Sequence, residues 1–282
     1  MGMKKINIYL LSLISICILG CSSSLSEAEK LNFSGINHFH RGDYELAIKE
    51  FTKSLELDST DAKVYNNRGL TYYSNGDYLD ALDDYNQALK LNPEFIEVFN
   101  NLALTYTALN NYDSAIIYYT EAIKYDSTDK DFYDNRGDSY YQANQFDKAI
   151  EDFKKSLAIY PNSIETYNNL AMTYFELDDY FNALEAINEA LRIDPTYTQG
   201  YINRAKIYYQ AGEYEQCLKD CNNGINESKH TYQAYINKGY ALLKLKRDSE
   251  ALDAFKLYIE FAPEDDKFIP SVLEEIKKLS NQ

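Results

Sequence analysis

The chain has 282 residues, 45% of them hydrophobic, which is enough apolar material to bury a core and argues against a disordered chain. Its formal charge of −16 argues against DNA or RNA as a partner, because nucleic-acid phosphates are held mainly by Lys and Arg. The same charge repels anionic lipid headgroups, so membrane attachment has to come from a covalent lipid or a span. The first element in chain order is a leader over residues 1–20. Lys4 and Lys5 give it a positive start, Ile6 to Leu19 form an apolar run, and Gly20 is the small residue before a cleavage point. That run is shorter than the roughly 20 residues a membrane-spanning helix needs.

The segment Ile18-Leu19-Gly20-Cys21 resembles a bacterial lipobox. It departs from that pattern at its first two positions, where Leu and then a smaller residue are usual. The resemblance implies cleavage before Cys21 and lipidation of Cys21. Two or more acyl chains anchor stably, where one is marginal. An ordinary secreted protein and an uncleaved anchor are the alternatives. Met1-Gly2 does not make a myristoylation motif, because residue 6 is Ile rather than Ser or Thr. Residues 21–28 read as the lipidated Cys and a short polar tether. The location implied is the bacterial cell envelope, at the outer membrane or the outer face of the cytoplasmic membrane.

From residue 28 the sequence repeats every 34 residues without a gap. The seven copies are Ala28–Asp61, Ala62–Phe95, Ile96–Asp129, Lys130–Ser163, Ile164–Tyr197, Thr198–Thr231 and Tyr232–Asp265. Position 8 is always Gly or Ala: Gly35, Gly69, Ala103, Gly137, Ala171, Ala205 and Gly239. Position 24 is mostly large: Phe51, Tyr85, Tyr119, Phe153, Ile187, Cys221 and Phe255. A small residue on one helix lets a second helix approach, and a large one opposite fills the space beside it. Positions 4, 11 and 17 hold many of the 28 tyrosines, which therefore read as packing residues. Gly42, Gly76, Asn110, Asn144 and Gly212 fall mid-repeat, where a left-handed residue ends a first helix. Asp43, Asp77 and Asp179 follow as N-caps of a second. Asp266–Leu279 is amphipathic through Phe268, Val272, Ile276 and Leu279, so residues 266–282 read as a capping helix.

This pattern of small and large residues resembles the tetratricopeptide repeat over residues 29–265. The resemblance implies an all-α fold: a right-handed solenoid of seven helical hairpins whose first helices line a concave groove. Position 6 points into that groove in such proteins. Here it carries Asn67, Asn101, Asn135, Asn169, Asn203 and Asn237. A carboxamide offers a donor and an acceptor, which suits a peptide backbone whatever its side chains. The array resembles the asparagine ladder of repeat domains that hold extended peptides, including that of the O-GlcNAc transferases. The competing reading is that these asparagines only bond neighbouring helices. Positions 9 and 12 share the face by spacing. Position 12 supplies Tyr73, Tyr141, Phe175 and Tyr209 as aromatic anchors. Asp131, Asp134 and Asp138 line one side of one helix, as an acidic groove patch or as a solvated face.

Chains of this family that grip acidic chaperone tails do so with basic groove residues. Their absence at the clamp positions predicts no such binding here. Cys217 and Cys221 occupy packing positions 20 and 24 and read as two buried thiols. His38, His40 and His230 have no metal spacing, and no phosphate loop, nucleophile elbow or zinc-protease motif is present. The expectation is therefore a protein without catalytic residues, cofactor, metal or small-molecule substrate. It binds protein partners through the groove and touches the membrane only through its lipid. The alternative is a structural solenoid that self-associates or docks through its convex face.

Overall fold

The computed structural model describes residues 25–281; the leader and Cys21 lie outside them. Among the described residues the secondary structure is fifteen α-helices and no strand. Helix α1 spans Glu27–Arg41, α2 Tyr44–Leu57, α3 Ala62–Asn75, α4 Tyr78–Leu91, α5 Ile96–Ala108, α6 Tyr112–Tyr125 and α7 Lys130–Gln142. Helix α8 spans Phe146–Ile159, α9 Ile164–Glu176, α10 Tyr180–Ile193, α11 Thr198–Gln210, α12 Tyr214–Glu227, α13 Tyr232–Lys244, α14 Asp248–Phe261 and α15 Ile269–Ser280. The chain divides into two compact units after Ala143, so α1–α7 form one and α8–α15 the other.

Within the first unit each helix through α7 packs on its predecessor, and α1, α3 and α5 also touch in a row. Within the second unit the same holds from α8 to α15, with α9, α11 and α13 in the row. The small-to-large pairing expected from positions 8 and 24 is what sets these approaches. A Cβ built on Gly35 would stand 2.7 Å from the Phe51 ring, one on Gly69 2.8 Å from Tyr85, and one on Gly239 2.4 Å from Phe255. The three rings are fully buried. Where position 8 is Ala the answer varies: Ala171 and Ala205 go with the smaller Ile187 and Cys221, whereas Ala103 packs with the buried Tyr119.

The helix ends follow local chemistry. Gly42, Gly76 and Gly212 have φ of 81°, 92° and 83°, and Asn110 and Asn144 have 57° and 56°. Two further left-handed residues, Asp178 at 56° and Lys246 at 60°, were not expected. Asp tolerates this region through its short polar side chain, whereas Lys has no such compensation. Of the three aspartates expected to cap second helices, Asp179 does so, accepting from the Asn182 amide at 3.2 Å. Asp43 and Asp77 make no side-chain cap. Asp77 instead accepts from the Asn75 side chain at 2.7 Å, and Asp43 lies 3.5 Å from His38.

Two boundaries also move. Helix α1 begins at Glu27, inside the stretch expected as tether, because Ser26 and Glu29 form a reciprocal capping box. Helix α15 begins at Ile269, so Phe268 precedes it and is exposed, while Ile269 joins Ile276 and Leu279 around the buried Val272. Repeats one, three and five end on one shared turn. Asp58, Asp126 and Asp194 each accept from the backbone N–H and hydroxyl of the Thr two residues on, at 2.7–2.9 Å. These bonds hold the three carboxyls below the usual Asp range.

Candidate functional site

The first-helix face of each unit carries the residues singled out from the sequence. Asn67 and Asn101 in the first unit are buried, each 8% exposed, and Asn135 is partly buried. In the second unit Asn169, Asn203 and Asn237 are all partly buried. A second row of asparagines, at position 5, explains much of this. The Asn67 amide donates to Asn32 at 3.2 Å, Asn101 to Asn66 at 2.9 Å, and Asn203 to Asn168 at 2.6 Å. Each such bond joins one first helix to the next, so part of the hydrogen-bonding capacity is spent between repeats. At Asn67 and Asn101 one N–H remains beside the carbonyl oxygen for another partner; at Asn203 one N–H remains, while its oxygen already accepts from Gln199 at 2.9 Å. The doublets Asn66-Asn67, Asn100-Asn101 and Asn168-Asn169 were the visible signal of this pairing. Asn237 faces repeat six, where position 5 is the buried Ile202, which has no polar atom to offer it.

The position-12 rings sit where a first helix turns into a second, packed on the position-17 tyrosine. Tyr73 lies 5.5 Å from Tyr78, Phe175 6.0 Å from Tyr180, and Tyr209 5.5 Å from Tyr214, centroid to centroid. They are partly buried, as is Tyr141, and keep one surface toward solvent. Burial raises the hydroxyl pKa of Tyr73 and of Tyr209 above the usual tyrosine value.

The acidic trio has a lysine set against two of its members. Lys130 places its ammonium 2.6 Å from Asp131 and 3.4 Å from Asp134. Asp138 lies half-buried further along α7.

Sequence reasoning passed over a motif with a plain signature, Arg at position 7 with Asp sixteen residues on. Arg68 grips Asp84 through two bonds of 2.8 Å and donates to Thr52 at 3.0 Å. Arg204 grips Asp220 at 2.6 and 2.8 Å and donates to Asn188 at 2.6 Å. Arg136 donates to Thr120 at 3.0 Å. Tyrosines at positions 4 and 11 flank the guanidinium, with Tyr65 and Tyr72 at 5.7 and 6.0 Å from that of Arg68. The pair joins the two helices of a hairpin and ties it to the preceding one.

Lys206 was also missed. It occupies position 9, between Asn203 and Tyr209 on α11, where other repeats are mostly apolar. Its ammonium sits 4.2 Å from the centre of the Phe175 ring on α9. Burial lowers its pKa below that of an ordinary lysine.

Cys217 and Cys221 are free, buried thiols with their sulfurs 3.9 Å apart. The neighbouring Cys217 thiol and burial push the Cys221 pKa well up, so Cys221 does not behave as an activated nucleophile. Among the described residues no three His, Cys, Asp or Glu side chains converge to hold a metal ion. No described helix is long and apolar enough to cross a membrane.

Family models of the tetratricopeptide repeat match residues 62–95, 96–129, 164–197 and 202–266, and a further TPR repeat model matches 37–76 and 137–178. None of the curated proteins matches the chain significantly. Among solved structures, a tetratricopeptide repeat protein from Parabacteroides merdae is similar, with a TM-score of 0.67 at 20% identity over 90% of this chain and 99% of that one. YrrB, a TPR protein with an unusual peptide-binding site, gives 0.57 at 20% identity over 65% of this chain and 95% of its own. MamA from Desulfovibrio magneticus gives 0.59 at 19% identity over 61% and 98%. At these identities the likeness is one of fold.

Proposed function

The chain belongs to the tetratricopeptide-repeat family, and from that premise we propose that it is a non-catalytic scaffold of the bacterial envelope. It holds an extended segment of a partner protein against its first helices. The observation that carries this reading is the recurrence of Asn at position 6 on adjacent first helices, beside a half-buried aromatic at position 12. Carboxamides that retain donor and acceptor capacity suit a peptide backbone, and aromatic rings with one wet side supply anchoring area. The similarity to YrrB supports a peptide as the class of ligand. The lipid on Cys21 keeps the partner near a membrane; the lipobox resemblance supports this part.

The test uses residues 22–282 as bait in a bacterial envelope extract, beside a variant with Asn135, Asn169 and Asn203 changed to Ala. Because Asn203 bonds Asn168, an Asn168→Ala bait controls for the lost inter-helix bond. A partner captured by the parent and the control but lost from the triple variant supports the reading, provided that circular dichroism shows all three folded. Equal capture by all three sinks it. Incorporation of labelled palmitate into the full chain, abolished by Cys21→Ser, tests the anchor.

A second reading has its own observation. Leu79 and Phe181, both at position 18 on second helices, are 71% and 73% exposed. Such side chains favour docking or self-association through the second-helix face. A stable dimer of residues 22–282 in light scattering, dissociated by Leu79→Ser with Phe181→Ser, is the outcome this reading expects.

A further inference from the structure

We propose that the partner segment carries an acidic side chain at the point where it crosses α11, and that this carboxylate pairs with Lys206. The inference rests on the groove reading above and adds the chemistry of one ligand residue.

Arg68 and Arg204 each hold a buried carboxylate in a two-bond grip, and Lys130 bridges two aspartates. Lys206 is sheltered to a similar degree, yet among the described residues no carboxylate stands within ion-pair distance of it. Its contacts are the Phe175 face at 4.2 Å and, at longer range, an attraction from Glu176 and a repulsion from Lys267. Lys267 lies on the connection between α14 and α15, so a second positive charge comes toward the same place from another element. Removing an ammonium from water without a counter-ion is costly, and the ring face offsets only part of that cost. In a chain of net charge −16 with carboxylates in excess, a sheltered lysine that meets a second positive charge rather than a carboxylate is an unusual choice of residue.

The ligand atom follows from position. Lys206 stands three residues from Asn203 and three from Tyr209 on one helix, which puts it on the same face as the ladder and the aromatic anchors. The neighbouring first helices α9 and α13 carry Asn169 and Asn237, so a segment lying along the face continues past Lys206 on both sides. An internal Asp or Glu side chain fits that arrangement, and a chain terminus does not. The site differs from a clamp for acidic tails, because the lysine is at position 9 and the carboxylate is internal.

The experiment is a positional library of octapeptides, acetylated and amidated so that every carboxylate is a side chain. It is probed with residues 22–282, with Lys206→Met, with Lys206→Arg and with Lys256→Met, an exposed lysine on α14. The parent, Lys206→Arg and Lys256→Met are expected to enrich Asp or Glu at one peptide position. In Lys206→Met that enrichment falls about tenfold, the worth of one charge-assisted hydrogen bond, while the melting temperature holds. Should Lys206→Met fail to fold, Lys206→Gln takes its place. Peptides bound without acidic preference, or a preference that survives Lys206→Met, overturn the proposal and leave the groove reading intact. Binding only to a parallel library with free C-termini overturns it in favour of a terminal carboxylate. Binding of no peptide by any variant overturns both readings.

Discussion

At the scale of single residues, the fold depends on a match between one small side chain and one large one. Gly239 leaves no room for a Cβ, which would stand 2.4 Å from the Phe255 ring. That ring is fully buried and cannot swing aside. Gly239→Ala is therefore expected to destabilise the protein by about 1–3 kcal/mol, the usual cost of overpacking, read from urea melts. Repeat five shows the remedy, since it pairs Ala171 with Ile187. Adding Phe255→Ile to Gly239→Ala should recover part of the loss; a double variant worse than the sum of the singles would refute the pairing. This match was legible in the sequence because both members recur at fixed positions. The asparagine bonds were not, because a carboxamide has several ways to be satisfied, and only the packed helices show which one it takes.

At the scale of helices, polar pairs set how one hairpin is tied together. Arg68 and Asp84 join α3 to α4, both largely out of water. Asp84→Ala strands the guanidinium, with an expected cost of about 3 kcal/mol. Repeat three fills the same two positions with Leu102 and Tyr118, and repeat five with Leu170 and Ala186. The double variant Arg68→Leu, Asp84→Tyr is thus expected to fold within about 1.5 kcal/mol of the parent; a double variant as unstable as Asp84→Ala would count against that equivalence. The turns between repeats make a separate, pH-dependent contribution. The folded-state pKa values of Asp58, Asp126 and Asp194 lie below 3.8. Their stabilisation is present above that value and disappears as pH falls through the folded pKa. The melting temperature should drop below about pH 4, and less steeply when all three are Asn. A parallel decline in both proteins would show that other carboxyls dominate.

At the scale of the whole molecule, charge and termini matter most. A net −16 favours solubility and disfavours nucleic acid. At the C-terminus α15 covers the last hairpin through the buried Val272, with Ile269, Ile276 and Leu279 partly buried around it. Tyr258 adds a 2.6 Å bond to Asp266, just before the helix. Ending the chain at Asp265 removes all of these. The expected loss is about 3–5 kcal/mol from apolar burial, with soluble oligomers formed through the uncovered surface and visible in size exclusion. A truncated chain that stays monomeric with an unchanged melt would show that α15 is dispensable.

The amino-acid sequence by itself determined the all-α hairpin fold, the repeat register and most left-handed turn residues. Each of these follows from local geometry repeated at a fixed spacing: a Gly or Ala where helices meet, a large residue opposite, and a residue tolerant of positive φ where a helix must end. What only the tertiary structure decided was how polar side chains divide their bonds. Asn67, Asn101 and Asn203 spend one N–H on the preceding first helix, Lys130 bridges Asp131 and Asp134, and Lys206 lies over Phe175 with no carboxylate of the described residues at ion-pair distance. Apolar packing reads out of periodicity because it is non-directional and depends on size. A hydrogen bond or ion pair depends on ångström-scale distance and angle between residues far apart in the chain, and those are fixed only when the helices are in place.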